Sequence, residues 1–390
     1  MFPPPARAVL AFGCALAWLL PAAASAQWRG DIGITERLYA SPGAGVGPAR
    51  HEPVIVAGAA GRTRLGAARL AFGASVRAGD EDYGVLADVH ELSAGLTRGR
   101  WSLRAGVSQV SWGVLESAQL VDVLNQRAMV PGVSGGLKLG QPMVNLGVRG
   151  IWGTGTVDFY LLPWFRARPF VGRAARVWSG QMVSADEPAF GPADGRHRMD
   201  WAVRGTRGFG EWDVGLSLFR GTDREPAFQS LIGEEGFGRL LPRYDVVRRV
   251  GVDIQWTHGR WLGKLEAASG NPSSGRYVAV GTGLEFAPAD YVSAFVEYVH
   301  DSRGARAPTS LERDVCVGGR LLYRDGHVGL RGSVDRVTGN ASVGFETARR
   351  LSNSTAVTLQ AMAFLGDAAS EPPVALRHDS NVALGVHRYF

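Results

Sequence analysis

The feature that most limits what this chain can become is a two-residue alternation of apolar with small or polar side chains, renewed along most of its length. The stretch Trp101, Ser102, Leu103, Arg104, Ala105, Gly106, Val107, Ser108 puts its large apolar groups at odd positions and Arg104 among the even ones. The same alternation runs through 157–161, 212–218, 250–256, 328–334 and 341–346. Side chains of a strand point alternately to its two faces, so each stretch is a strand with one apolar and one polar face. With its flanking residues, each comes to roughly the 9–11 residues that a tilted strand needs to cross a bilayer. In lipid, a sheet satisfies every backbone N–H and C=O only by closing on itself. The expected fold is therefore all-β, a single antiparallel transmembrane β-barrel.

The connections fall into two classes. Short ones are expected near Gly61 and at 97–100, 153–155, 208–210, 258–260, 288–290, 324–326 and 351–354. Longer or variable ones are expected at 41–52, 113–141, 168–198, 222–245, 302–312 and 366–377, with lesser ones near Gly79, at 270–275 and near Gly339. The classes alternate strictly, as short periplasmic turns and long external loops do in an outer-membrane barrel. The count is about 18 strands, with 16 as the alternative because the glycine-rich stretch 53–78 alternates least clearly. Trp101, Trp152, Trp212, Trp256 and Trp261, with Phe209 and Tyr291, flank the short turns. Rings with one apolar and one wet edge belong at a membrane–water boundary, whereas a soluble sandwich more often buries its Trp in mid-strand.

Residues 1–26 read as a signal peptide: Arg7 supplies the positive region, Val9 to Leu20 the apolar region, and Ala24, Ser25, Ala26 the cleavage site. The barrel is then 27–390, and no shift in composition marks a linker within it. Once Cys14 is removed only Cys316 remains, so no disulfide forms within one chain. No stretch of the processed chain is apolar and long enough for a membrane helix. The formal charge is +6, and the cations are 40 Arg and only Lys138 and Lys264. These arginines are scattered between acids rather than gathered into a basic patch, which argues against nucleic acid as a partner.

If the apolar face meets lipid, the other face lines a lumen. The candidate pore-lining residues are Arg104, Asp158, Arg166, Arg249, Asp253, Lys264, Glu266, Glu297, Arg320, Arg331 and Glu346, with Glu285 and Asp335 on the same face. Charges of both signs in a water-filled channel make a transverse field that sorts solutes by charge and size. The stretch 113–141 stands apart. Leu115, Ala118, Leu120, Val121 and Leu124 form a short helix-like apolar stripe, with Glu116, Asp122, Asn125 and Gln126 on its other faces. Pro131 and the pair Gly135, Gly136 break it. Such a loop either folds into the lumen as a constriction or caps the barrel outside. A barrel enzyme acting on lipid or lipopolysaccharide would need a nucleophile and a base, and no His/Ser/Asn grouping resembling that of the barrel phospholipases is present. Asp186, Glu187, Asp194, Glu234 and Glu235 read as solvated loop acids. No metal-ligand spacing occurs, and no cofactor is expected.

The chain ends on Val382, Leu384, Val386 and Phe390 facing one way and Asn381, Ala383, Gly385 and His387 the other. A terminal strand closing on an aromatic resembles that of bacterial outer-membrane barrels, where it carries the signal read by the barrel-assembly machinery and pairs with the first strand. Arg388 departs from that pattern, which has an aromatic two residues before the end. The runs 112–126, 138–146 and 161–170 are similar to segments of a porin-like family of proteobacterial outer-membrane proteins. That resemblance implies a barrel and a pore, and brings no solute or catalytic residue with it. The expectation is a passive channel of the bacterial outer membrane for small hydrophilic solutes, with a preference for anions from the arginine excess. Outer-membrane lipid and lipopolysaccharide are its surroundings. The alternatives are the barrel enzyme and a closed barrel that binds at its surface.

Overall fold

The computed structural model describes residues 27–41, 50–79, 84–128, 136–170, 182–183, 188–191, 194–232, 238–272, 275–304, 307, 311–366 and 379–390. The signal-peptide residues, Pro131, Gly135, Asp186, Glu187, Glu234 and Glu235 lie outside these. Eighteen strands form one antiparallel sheet. In chain order they are β1 Gln27–Tyr39, β2 His51–Leu65, β3 Ala68–Ala78, β4 Val85–Arg98, β5 Trp101–Ser108 and β6 Gln141–Ile151. Then come β7 Gly155–Leu162, β8 Asp200–Phe209, β9 Trp212–Thr222, β10 Val246–His258, β11 Trp261–Gly270 and β12 Tyr277–Ala289. The last six are β13 Val292–Asp301, β14 Arg313–Tyr323, β15 Gly326–Asp335, β16 Ala341–Ser352, β17 Thr355–Leu365 and β18 Asn381–Tyr389. Each strand pairs with the next, and β18 pairs with β1 from Asp31 opposite Tyr389 to Tyr39 opposite Asn381. That last ladder closes the barrel and removes both sheet edges.

Alternation sets the two faces. On β18 Val382, Leu384 and Val386 are about half exposed, while Ala383 between them is buried. Leu216 and Leu218 on β9 are exposed, and Ser217 and Phe219 are buried. The exposed apolar side chains thus belong to the outer face. Trp101, Trp152, Trp212, Trp261, Phe209 and Tyr291 are exposed at the short-turn end, and Trp256 lies opposite Trp212 across the β9–β10 ladder.

One turn differs from expectation. The β2–β3 turn is at Gly66, whose φ of 59° suits glycine, and Gly61 lies in mid-strand. Gly61 stands directly opposite Phe72, whose ring occupies the space a Cβ would need, 2.4 Å from Cε1. The glycine there serves a cross-strand contact on the outer face and not a turn. A second difference is the end of β7. Pro163 cannot donate to a ladder, so β7 stops at Leu162 and Arg166 lies beyond the wall on the following segment.

The long connections do not simply fray. Ala227–Ile232 and Gly238–Tyr244 form a hairpin that also takes up Met182–Val183 and Ala189–Phe190. Phe165 and Tyr244, both fully buried, pack there at 4.8 Å between rings, with Phe190 5.8 Å from Phe165.

Candidate constriction and inner wall

The connection between β5 and β6, described over 109–128 and 136–140, lies against the polar face of the wall across many strands. Trp112 meets Tyr160 on β7 edge to face at 5.7 Å, and the Arg204 guanidinium on β8 lies 5.2 Å over its ring. Val121, Val123 and Leu124 pack with Met143, Leu162, Ala202, Phe219 and Val247 of β6–β10. Ala118 and Leu120 pack with Ala268, Tyr277, Ala279 and Val299 of β11–β13. Ala128 and Leu139 return to Val54 of β2. One segment can touch one face of strands so far apart only from inside the barrel. The connection folds inward.

Two wall carboxylates hold its far end. Glu266 on β11 accepts the backbone N–H groups of Val114 (2.6 Å), Leu115 (2.9 Å), Leu120 (2.8 Å) and Val121 (3.3 Å). Glu297 on β13 accepts those of Glu116 (2.9 Å) and Ser117 (2.8 Å) and the Ser117 hydroxyl. The expected helix does not form over 109–128. N–H groups that would have sought helical carbonyls go instead to ionisable acceptors, which make the stronger bonds. The stripe is nonetheless buried: Leu115, Ala118, Leu120, Val121 and Leu124 all lie in the interior. Asn125 and Gln126 are also buried, not turned to solvent.

The near end is stapled by amides. Asn125 donates to the carbonyls of Ser108 (2.9 Å) and Leu139 (2.8 Å) and accepts from the Val110 N–H (2.9 Å). The Gly140 N–H points at both Asp88 oxygens on β4 (3.4 and 3.3 Å). Arg166 pairs with the same carboxylate and donates to the Gly140 carbonyl at 3.0 Å. Gly140 and Gly281 permit this closeness. A Cβ at Gly140 would sit 2.1 Å from the Val89 carbonyl oxygen, and one at Gly281 on β12 would sit 2.3 Å from Leu115 Cδ1.

Charge completes the docking. Lys264 binds Glu116 at 3.0 Å and Glu285 at 2.6 Å. Arg204 binds Asp253 at 2.8 Å, and Arg249 donates to the Leu120 carbonyl at 3.1 Å. Beyond β9, Arg224 donates to the Leu124 carbonyl (3.0 Å) and pairs with Asp200 (3.0 Å). Burial pulls the Arg224 guanidinium below its usual range and pushes the neighbouring Asp223 carboxyl above its own. Within the segment Asp122 pairs with Lys138 (2.5 Å) and Arg127 (3.1 Å), and burial lowers the Lys138 ammonium.

The structure therefore gathers Arg249, Asp253, Lys264, Glu266 and Glu297 on one side of the wall with Glu116. Asn125 and Asp122 hold the same segment together, and Gln126 ties it to the β7–β8 connection, its side-chain oxygen accepting from Arg168 at 3.3 Å. It does not bring the others there. Arg104 and Asp158 stand on β5 and β7, where Asp158 takes a hydrogen bond from Asn145 at 3.1 Å. Arg320 and Glu346 pair at 3.5 Å on β14 and β16, with His327 3.8 Å from Glu346. Arg331 lies between them on β15, its side chain over Gly344. Asp335 caps the β15–β16 turn, accepting from Val337 N–H and the Thr338 hydroxyl, both at 2.7 Å. The sequence reading passed over Asp88, Asp200 and Arg224. Asp88 carries a legible signal, an acid at an inner position of β4; Arg224 carries none, because it sits in a connection.

No family model matches the chain, and no curated protein is similar to it in sequence. Solved structures are. The Pseudomonas aeruginosa protein OccK2 (OpdF), solved in complex with glucuronate, superposes with a TM-score of 0.57 at 11% identity, over 94% of this chain and 98% of that one. A mutant of Rh. blastica porin is similar with a TM-score of 0.45 at 10% identity, over 94% of this chain and all of that one. At such identity the likeness to OccK2 is one of fold: this chain is a porin-like barrel of eighteen strands.

Proposed function

We propose that the protein is a passive channel of the bacterial outer membrane, in the porin-like group of proteobacteria that its sequence resembles, and that it admits small hydrophilic solutes with a preference for anions. The observation that carries this reading is the inward fold of the β5–β6 connection, hung on Glu266, Glu297 and Asp88 of the inner face. A barrel of 16–18 strands is wide enough for an aqueous interior, and a segment fastened along part of its wall narrows that interior without filling it. Charge supports the preference. The segment and its bound cations occupy the carboxylates of β10–β13, whereas Arg104 and Arg331 stand exposed on the rest of the inner face. A solute on the remaining path meets guanidinium groups first. Residues 1–26 would direct export, β18 with Phe390 would present the chain to the assembly machinery, and the outer apolar face would meet lipid and lipopolysaccharide. No chemical step is assigned to any residue.

The test is the current carried by purified 27–390 in a planar bilayer, with the reversal potential read under a potassium chloride gradient. Stepwise conductance with a chloride-selective reversal potential is expected. Silence from a folded barrel would remove the channel reading, and a potassium-selective potential would remove the anion preference.

A further inference from the structure

The short-turn end of β2–β5 carries a group of cations that the docking of the segment does not use. Arg62 and Arg64 on β2, Arg69 on β3 and Arg104 on β5 all lie on the inner face and are all exposed. Among the described residues, no hydrogen bond or ion pair engages any of the four guanidinium groups. Their arrangement is costly. Arg64 stands directly opposite Arg69 in the β2–β3 ladder, and like charges directly opposite destabilise a sheet. The next position along the same row is Gly95 on β4, opposite Arg69, and the one after is Arg104, opposite Gly95. Two strand spacings put Arg69 and Arg104 about 10 Å apart at the backbone, with a glycine between them.

That glycine is uncovered. A Cβ at Gly95 would meet only the Leu103 and Arg69 carbonyl oxygens, at 3.6 and 3.9 Å, and no side chain. Elsewhere on the inner face long side chains lie across the glycines: Glu297 over Gly283, His90 over Gly73, Arg331 over Gly344. Here Arg69 and Arg104 leave the gap open. The nearby carboxylates are engaged elsewhere, Glu91 with Ser108 at 3.2 Å and Asp158 with Asn145 at 3.1 Å.

From this we infer that Arg64, Arg69 and Arg104, with Arg62 beside them, form an oxyanion subsite over Gly95 for the carboxylate or phosphate group of a solute. Guanidinium forks suit both groups and bind them bidentately. A bound anion also relieves the repulsion that the row otherwise sustains. The inference deepens the channel reading and rests on it for the solute's route, but the subsite itself can be measured apart from conduction.

The experiment has two readouts on the folded 27–390 barrel. One is calorimetric titration of the detergent-solubilised protein with inorganic phosphate and, in parallel, sodium gluconate. The other is the block of potassium chloride current by the same two anions. Whichever anion binds more tightly identifies the class of group accepted. Two variants are compared with the wild type. Arg64→Ala/Arg69→Ala/Arg104→Ala removes the charges, and Gly95→Leu fills the gap while every charge stays. Both should fold, since the positions face open lumen. Each is expected to weaken binding and raise the half-blocking concentration about tenfold. Binding by neither anion overturns the subsite, and so does equal affinity in wild type and triple variant. Loss in the triple variant alone overturns the seat at Gly95. If the barrel binds anions but carries no current, the channel reading fails and the subsite stands.

Discussion

Glu266 is the residue on which the segment depends most. Its carboxylate accepts four backbone N–H groups in the interior. Removing it leaves buried donors without an acceptor, each worth about 1–3 kcal/mol. The four are released together and do not add, so Glu266→Ala is expected to weaken docking of 114–121 by about 3 kcal/mol. Hydrogen exchange followed by mass spectrometry reads this directly, as roughly 100-fold faster exchange of those amides at 1.4 kcal/mol per tenfold. Glu266→Gln keeps one acceptor oxygen and should recover part of the protection. Unchanged protection in Glu266→Ala would show that apolar packing of Leu115, Leu120 and Val121 holds the segment by itself. Glu297 plays a smaller part of the same kind, with two N–H groups and one hydroxyl.

At the scale of elements, the wall and the segment are matched by glycines as much as by charges. Gly140 enters β6 with the Val89 carbonyl already at the edge of where a side chain would be. Gly140→Ala therefore forces the backbone apart, and overpacking of this kind costs about 1–3 kcal/mol. The expected outcome is rapid proteolytic cleavage within 109–140 while the barrel keeps its heat-modifiable mobility in gels; resistance equal to the wild type would count against the close seat. The strands themselves were largely legible in sequence. Eighteen of them, strictly alternating short and long connections, aromatics at the short-turn end and closure through the last strand all follow from a two-residue period. What was not legible has a physical cause in each case. Across Pro53–Ala78 small residues occupy both faces, so neither the Gly66 turn nor the inward parity of Arg62, Arg64 and Arg69 stands out. In 114–124 the apolar spacing suited a helix, and the partners that override it, Glu266 and Glu297, lie about 150 residues or more further along. Arg166 read as part of the wall because nothing but Pro163 marks the end of β7.

For the molecule as a whole, the barrel is asymmetric inside. The segment runs from β5 along the wall to β13 and back to β2–β4, and what it covers holds Asp253, Glu266, Glu285 and Glu297. The uncovered part holds the exposed arginines at the short-turn end of β2–β5 and Arg331 on β15. On this account the passage is bounded by the segment on one side and guanidinium groups on the other, and both its width and its charge follow from where 109–140 lies. Val110 and Asn125 are hydrogen-bonded at 2.9 Å, so residues 112–124 can be replaced by a short Gly-Ser bridge without moving the strands. The deciding measurement is the single-channel conductance of that variant beside the wild type, both verified as folded barrels. A larger conductance step in the variant is the predicted result. An unchanged or smaller step would contradict the claim that this segment sets the width of the pore.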